Sequence, residues 1–375
     1  MGGIDEYIKW RGDLTFSQSS FNEVDNLVLA QLAYVDLKNI IPSAGSGGNI
    51  TLRQAALDFF DLYDENELRN VKSFIRDTPF FMRQVAESER FGGMLLSDYV
   101  DIVDANEEKQ FAAFGAELSD GTHYIVFRGT DDTIVGWKED FNMSFIMPVP
   151  SQLEAVRYVN ETAKHKRGKI RLGGHSKGGN LAIYASVKAN ASVRKKIIAV
   201  YNNDGPGFDK VMVESEEYQQ MLPLVKTIVP EHSVVGMLLW HEEEYLIVKS
   251  SQSGIMQHDA MSWQVEGKCF VSTPKVSENS RQLNEAMSTW IERLSKEERQ
   301  RFVDTLFELI TASGAKTLSD INADVFKSAN ATIKMFNSLD ADTRNMLIKI
   351  LRSLTTEIKR ARRTKKKSAA ADNEQ

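Results

Sequence analysis

The chain has 375 residues, 42% hydrophobic and 26% charged, with a net charge of −6 at neutral pH. That is an ordinary soluble globular composition, and the mild negative charge argues against nucleic acid as the main partner. The one cysteine, Cys269, rules out an intrachain disulfide and fits a reducing compartment.

The first residues, Met1 to Glu6, have no basic region followed by an apolar run, so no signal peptide is expected. No apolar run approaches the length of a membrane span, and a cytoplasmic location is expected. Residues 22–41 read as a helix, with Val24, Leu27, Leu29, Ala30, Leu32 and Ala33 apolar and Pro42 as its stop. A second helical stretch covers residues 51–75, with Thr51 as N-cap and Gln54 three residues on. From about residue 93 the period becomes two. Residues 94–100, 110–116 and 123–127 read as strands, the last apolar on both faces. Further strands are expected at 169–173, 197–201, 226–229 and 245–248, with helical patterns between several of them. Such alternation argues for a mainly parallel sheet covered by helices.

After about residue 280 the strand signals stop. Ser295 and Glu298 fit a capping box ahead of Val303, Leu306, Phe307 and Ile310 at helical spacing. Asp340 caps a further helix. Residues 359–367 hold seven basic positions in nine. They read as a solvated terminus, or as a weak contact with an anionic membrane surface. The chain therefore divides into an N-terminal helical segment packed on the core (1–90), an α/β core (91–278), a helical C-terminal region (279–360) and a disordered basic and polar tail (361–375).

The chemistry centres on Gly174-His175-Ser176-Lys177-Gly178. This G-x-S-x-G pattern lies between the strand at 169–173 and a helix rich in small residues, the setting of a nucleophile elbow. A serine hydroxyl needs a base, an acid that orients the base, and donors for the oxyanion. After an elbow these follow in the order Ser, acid, His. His123, His165 and His175 precede Ser176; His232, His241 and His258 follow it. His258 comes just after the last strand, where a loop delivers a base. His241 begins an acidic turn and looks solvated. His232 directly follows a strand, a place where an acid is more usual. For the acid, Asp204 ends the strand at 197–201 in a Gly- and Pro-rich turn, 28 residues beyond Ser176. Glu231, after the next strand, is the rival. The oxyanion donors are assigned to the backbone N–H groups of Lys177 and Thr130, the latter in the tight turn Phe127-Arg128-Gly129-Thr130. Arg128 paired with Asp131 or Asp132 would shape that turn. The apolar stretch 141–150 suits either a lid or acyl pocket, or plain core.

Phe127-Arg128-Gly129-Thr130, Trp137-Lys138-Glu139-Asp140 and Gly174 to Gly179 together resemble the class 3 lipases over about residues 90–265. The motifs FRGTDDTIVGWKEDF, GGHSKGGNLA, NDGPGF and QHDAMSW, in that order, resemble more closely the Mbeg-like family of lipase-like α/β-hydrolases. Asp204-Gly205-Pro206 is also similar to the aspartate turn of pancreatic-type lipases. Two departures stand out. Class 3 lipases usually carry Leu where Lys177 stands, and they usually place the acid one strand later, where this chain has Glu231. The resemblance implies a serine esterase acting on lipid-like carboxylic esters through an acyl-enzyme, with no metal or organic cofactor. A thioesterase or acyltransferase would use the same residues. A binding scaffold of the same fold, with Ser176 idle and the C-terminal helices recruiting a partner, is the reading from a different class.

Overall fold

The computed structural model describes residues 2–71, 75–164, 166–317, 320–321 and 325–372. His165 lies outside them. Strands β1 (Ile50–Thr51), β2 (Leu95–Asp104), β3 (Lys109–Glu117), β4 (His123–Phe127), β5 (Ile170–His175), β6 (Ile197–Asn203), β7 (Val225–Pro230) and β8 (Tyr245–Val248) form one sheet in sequential order. The pairs from β1 to β4 are antiparallel; those from β4 to β8 are parallel. A small hairpin, β9 (Val265–Glu266) and β10 (Cys269–Phe270), follows.

Helices cover both faces. The N-terminal set is α1 (Ile4–Arg11), α2 (Glu23–Leu32), α3 (Leu52–Leu62), α4 (Glu65–Asn70) and α5 (Thr78–Glu87). Within the sheet come α6 (Ile134–Asn142), α7 (Pro150–Lys164), α8 (Lys177–Lys188), α9 (Ala191–Arg194), α10 (Lys210–Val213) and α11 (Glu216–Met221). The period of two in β4 explains the layering. Tyr124 and Val126 point into one core with α1, α2, α3 and α5; Ile125 and Phe127 point into the other with α7 and α8. This is the mostly parallel α/β fold expected from the sequence.

The N-terminal helices are anchored by buried polar groups as well as by apolar packing. Arg90 Nε lies 2.7 Å from Asp25 Oδ1, and the Tyr7 hydroxyl donates to the same oxygen at 2.8 Å. Both charged side chains are excluded from solvent. Asn22 and Asp25 form a capping box at the start of α2.

Two of the expected helices differ from the sequence expectation. The helix at 22–41 ends at Leu32, and the chain continues in turns; Asp36 accepts from the Lys38 N–H at 3.0 Å, a local turn that competes with helix. The stretch 51–75 holds two helices, because Asp64 accepts from the Asn66 and Glu67 N–H groups and starts a new one. Residues 72–74 of this stretch lie outside the described residues. Thr51 does cap α3, accepting from Gln54 N at 3.1 Å.

The C-terminal region comprises α12 (Glu278–Arg293), α13 (Lys296–Thr311) and two further helices, Val325–Ser338 and Ala341–Asp372. The capping box of Ser295 and Glu298 is formed. Trp290, Phe302, Val303, Phe307, Leu347 and Ile350 build a third core that takes in Ile134 of α6. The last helix runs through 361–372, where a disordered tail was expected; Ala, Lys and Arg are strong helix formers. No helix among the described residues is long and apolar enough to cross a membrane.

Candidate active site

Ser176 sits between β5 and α8, as the N-cap of α8. Its backbone is at φ 57° and ψ −132°, a conformation that costs a non-glycine residue ~1–3 kcal/mol. The surroundings force it. A Cβ at Gly174 would lie 2.4 Å from the Gly178 carbonyl carbon, and one at Gly178 would lie 2.2 Å from the Phe127 carbonyl oxygen. Only glycines let β5, α8 and the end of β4 meet this closely. The Ser176 N–H is tied to Asn203 O at 2.9 Å, so the elbow is bonded to the end of β6.

Asp204 follows β6 with φ 53°, and its side chain is fully buried. The turn behind it is pinned at several points. Asn202 Oδ1 accepts from the Gly205 N–H at 2.9 Å, and the Asn180 side chain donates to the carbonyls of Pro206 and Gly207. The Asp204 carboxylate is divided between partners. Oδ1 accepts from the Ser233 hydroxyl and, at 3.2 Å, from the Gly236 N–H; Oδ2 lies 2.7 Å from His258 Nδ1.

His258 ends a 3₁₀ turn, Gly254–His258, and its Nε2 lies 3.0 Å from Ser176 Oγ. A carboxylate only accepts, so Nδ1 carries the proton and Nε2 faces the serine hydroxyl as an acceptor. The turn is fastened by Trp263, buried and donating from Nε1 to Gln257 O at 2.8 Å. The three residues thus form one unbroken hydrogen-bonded chain.

The other candidates lie elsewhere. Glu231 closes β7, where its N–H donates to Val248 O and its carbonyl accepts from Ser277 N. His232 Nδ1 accepts from Gly254 N at 3.3 Å. His241 is not solvated, as its acidic neighbours suggested: its side chain is 3% exposed and its Nδ1 lies 3.0 Å from Glu243 Oε1. That carboxylate is also bound by Thr227 and Tyr218, so Glu243 of the acidic run turns inward to a buried cluster while Glu242 and Glu244 stay exposed.

Thr130 stands after β4, in a turn braced by Arg128, which pairs with Asp101 at 2.8 Å and Asp131 at 3.1 Å. Gly129 approaches so closely that a Cβ there would lie 3.2 Å from Ser176 Cβ. The Thr130 hydroxyl donates to Asp140 Oδ2 at 2.6 Å, and burial raises the Asp140 pKa to about 6 against the pull of Lys177. The Lys177 N–H is in the first turn of α8, where no intrahelical acceptor is available and the helix dipole favours negative charge.

The Lys177 side chain does not stand free beside Ser176. It is buried, and its ammonium donates to Gln110 O at 2.9 Å, Gln110 Oε1 at 2.6 Å and Glu139 Oε2 at 3.0 Å. Glu139 also accepts from the N–H groups of Gln110 and Ser151. Every ammonium proton is used. The network joins α8 to β3 and to α6, which carries Asp140.

Sequence reasoning did not single out Ser233, Gly236, Gln110 or Glu139 for these contacts. Glu139 and Asp140 stand in the quoted WKED stretch, the one signal that pointed to them; Ser233 has none. The 141–150 segment packs on its surroundings: Met143 and Val149 are buried, and Phe141 meets the Phe307 ring edge-on at 5.6 Å. Among the described residues no group of three or more His, Cys, Asp or Glu side chains is arranged to hold a metal ion.

No curated protein sequence matches the chain. Among solved structures it is similar to M37 lipase, at 14% identity over 58% of this chain and 70% of that one, with a TM-score of 0.36. The model of the Mbeg1-like family matches residues 85–308, which take in the elbow, Asp204, His258 and the Thr130 turn. The chain belongs to the Mbeg1-like family.

Proposed function

We propose that the protein is a serine hydrolase that cleaves lipid-like carboxylic esters through Ser176, His258 and Asp204. The observation that carries this reading is the continuous chain from Ser176 Oγ to His258 Nε2 at 3.0 Å and from His258 Nδ1 to Asp204 Oδ2 at 2.7 Å. His258 takes the hydroxyl proton as Ser176 Oγ bonds to the ester carbonyl carbon. Asp204 holds the tautomer and stabilises the imidazolium. The carbonyl oxygen becomes an oxyanion and is bound by the N–H groups of Thr130 and Lys177. Collapse of the tetrahedral species breaks the bond to the alcohol oxygen, which leaves with the proton from His258. Water then adds to the acyl carbon and gives a proton to His258; collapse breaks the bond to Ser176 Oγ, which takes that proton back from His258 as the acid leaves. The strained Ser176 backbone supports the reading, since strain of this kind is kept where it serves a site. The single exposed cysteine supports a cytoplasmic setting.

The test is turnover of short and long p-nitrophenyl esters, with labelling by a fluorophosphonate probe. Wild type should turn over and label, and Ser176→Ala should do neither. Turnover retained by Ser176→Ala sinks the assignment. A folded wild type that neither labels nor turns over favours the scaffold. Transfer to thioesters or to acceptor alcohols in preference to water identifies the thioesterase or acyltransferase variants of the same chemistry.

A further inference from the structure

His175 ends β5 and precedes the proposed nucleophile, yet it has no place in the proton path. Its Nε2 lies 2.8 Å from the carbonyl oxygen of His258, and its Nδ1 lies 2.9 Å from the Tyr34 hydroxyl. A carbonyl only accepts, so Nε2 carries the proton; Nδ1 therefore offers a lone pair, and the tyrosine donates to it. The His175 ring lies against the His258 ring, with centroids 4.7 Å apart and planes 35° apart. Burial, then the neighbouring His258, drives the His175 pKa well down. It stays neutral beside a ring that gains a proton in each cycle.

Tyr34 comes from the N-terminal segment, just beyond α2 and outside the residues that the family model matches. Its oxygen also meets the oxyanion loop: a Cβ at Gly129 would lie 2.2 Å from it and 2.5 Å from His175 O. One hydroxyl thus touches the turn that carries Thr130 and, through one imidazole, the turn that carries His258. In the second turn Ile255 and Met256, 64% and 59% exposed, add little packing just before the base, so it is held by polar contacts: Trp263 to Gln257 O and His175 to His258 O.

We propose that Tyr34 and His175 form a positioning relay that fixes the backbone of His258 and the Gly129–Thr130 turn against Ser176. This rests on the reading of Ser176 as nucleophile. Neither residue touches the reacting atoms; their work is placement, and a shift of ~1 Å in a reacting group costs ~100-fold in rate.

The experiment compares kcat and KM on a p-nitrophenyl ester, with fluorophosphonate labelling, for wild type, Ser176→Ala, His175→Phe, His175→Gln and Tyr34→Phe, each checked for folding by circular dichroism. His175→Phe should lower kcat ~100-fold with KM within about twofold. His175→Gln, which keeps an N–H donor for the His258 carbonyl, should recover about tenfold of that loss, and Tyr34→Phe should lower kcat about fivefold. If His175→Phe fails to fold, Tyr34→Phe and His175→Gln decide. Full kcat in folded His175→Phe or Tyr34→Phe overturns the relay, as does equal impairment of His175→Phe and His175→Gln. Absence of Ser176-dependent labelling in wild type overturns the hydrolase reading, and the relay with it.

Discussion

Ser233 and His258 share one carboxylate: the serine hydroxyl occupies Oδ1 of Asp204 and the imidazole occupies Oδ2. A buried anion held on both oxygens cannot rotate, so its hold on the imidazole tautomer is fixed. Asp204→Asn should lower kcat ~10⁴-fold on a p-nitrophenyl ester by stabilising the wrong tautomer. Ser233→Ala should cost about tenfold, the loss of one hydrogen bond to a charged group. Glu231→Gln should leave kcat near wild type, since the contacts of Glu231 with β8 and α12 run through its backbone. Intact turnover in Asp204→Asn together with lost turnover in Glu231→Gln would reverse the assignment of the acid.

The Lys177–Glu139 pair is excluded from solvent. Removing one partner of such a pair leaves an uncompensated charge and typically costs ~3–5 kcal/mol. Lys177→Met should therefore lower stability by about that much in urea unfolding. The double change Lys177→Met with Glu139→Gln should recover a large part of it. Equal stability of the single and double variants would show that the pair is not energetically coupled.

Asp140 gives a pH signature. Its pKa is raised by burial from 3.8 to about 6, so the folded state favours the neutral acid. The stability it contributes is fully present below 3.8 and is lost as pH rises through about 6. Relative to Asp140→Asn, wild type should lose on the order of 2 kcal/mol between pH 4 and pH 7. Urea midpoints of the two proteins across that range measure it, and a difference that does not vary with pH would refute it.

At the elbow, Gly174→Ala would put a Cβ 2.4 Å from the Gly178 carbonyl carbon and 2.5 Å from the Phe127 carbonyl oxygen. Backbone cannot yield as a flexible side chain would. A destabilisation of ~1–3 kcal/mol is expected from overpacking, with labelling of Ser176 by fluorophosphonate slowed. Unchanged melting temperature and labelling rate would contradict the close approach.

The parts of this molecule that follow a local period were readable from the chain. The apolar run in His123 to Phe127 marked a central strand, and the order serine, acid, histidine came with the strand-turn-helix setting of one motif, which left Glu231 beside Asp204 as the acid. What was not readable depends on where long side chains go. G-x-S-x-G fixes the backbone at Lys177 but says nothing of its ammonium, which reaches Gln110, 67 residues away in sequence. His241 looked wet because its neighbours are acidic, yet Glu243 turns inward to meet it. Tyr34 and His175 are 141 residues apart, and no periodicity links them.

The buried Arg90–Asp25 pair restricts how the molecule can move. Lifting α2 off the sheet would strand a guanidinium and a carboxylate in apolar surroundings, and would also break the contacts of Asn26 with Asn203 and Tyr124. The N-terminal helices are therefore a fixed floor beneath the elbow, and a protein cut down to the family-matched residues 85–308 would lose that floor together with Tyr34. The smallest unit able to hold Ser176, His258 and Asp204 in register starts well before the stretch that marks the family.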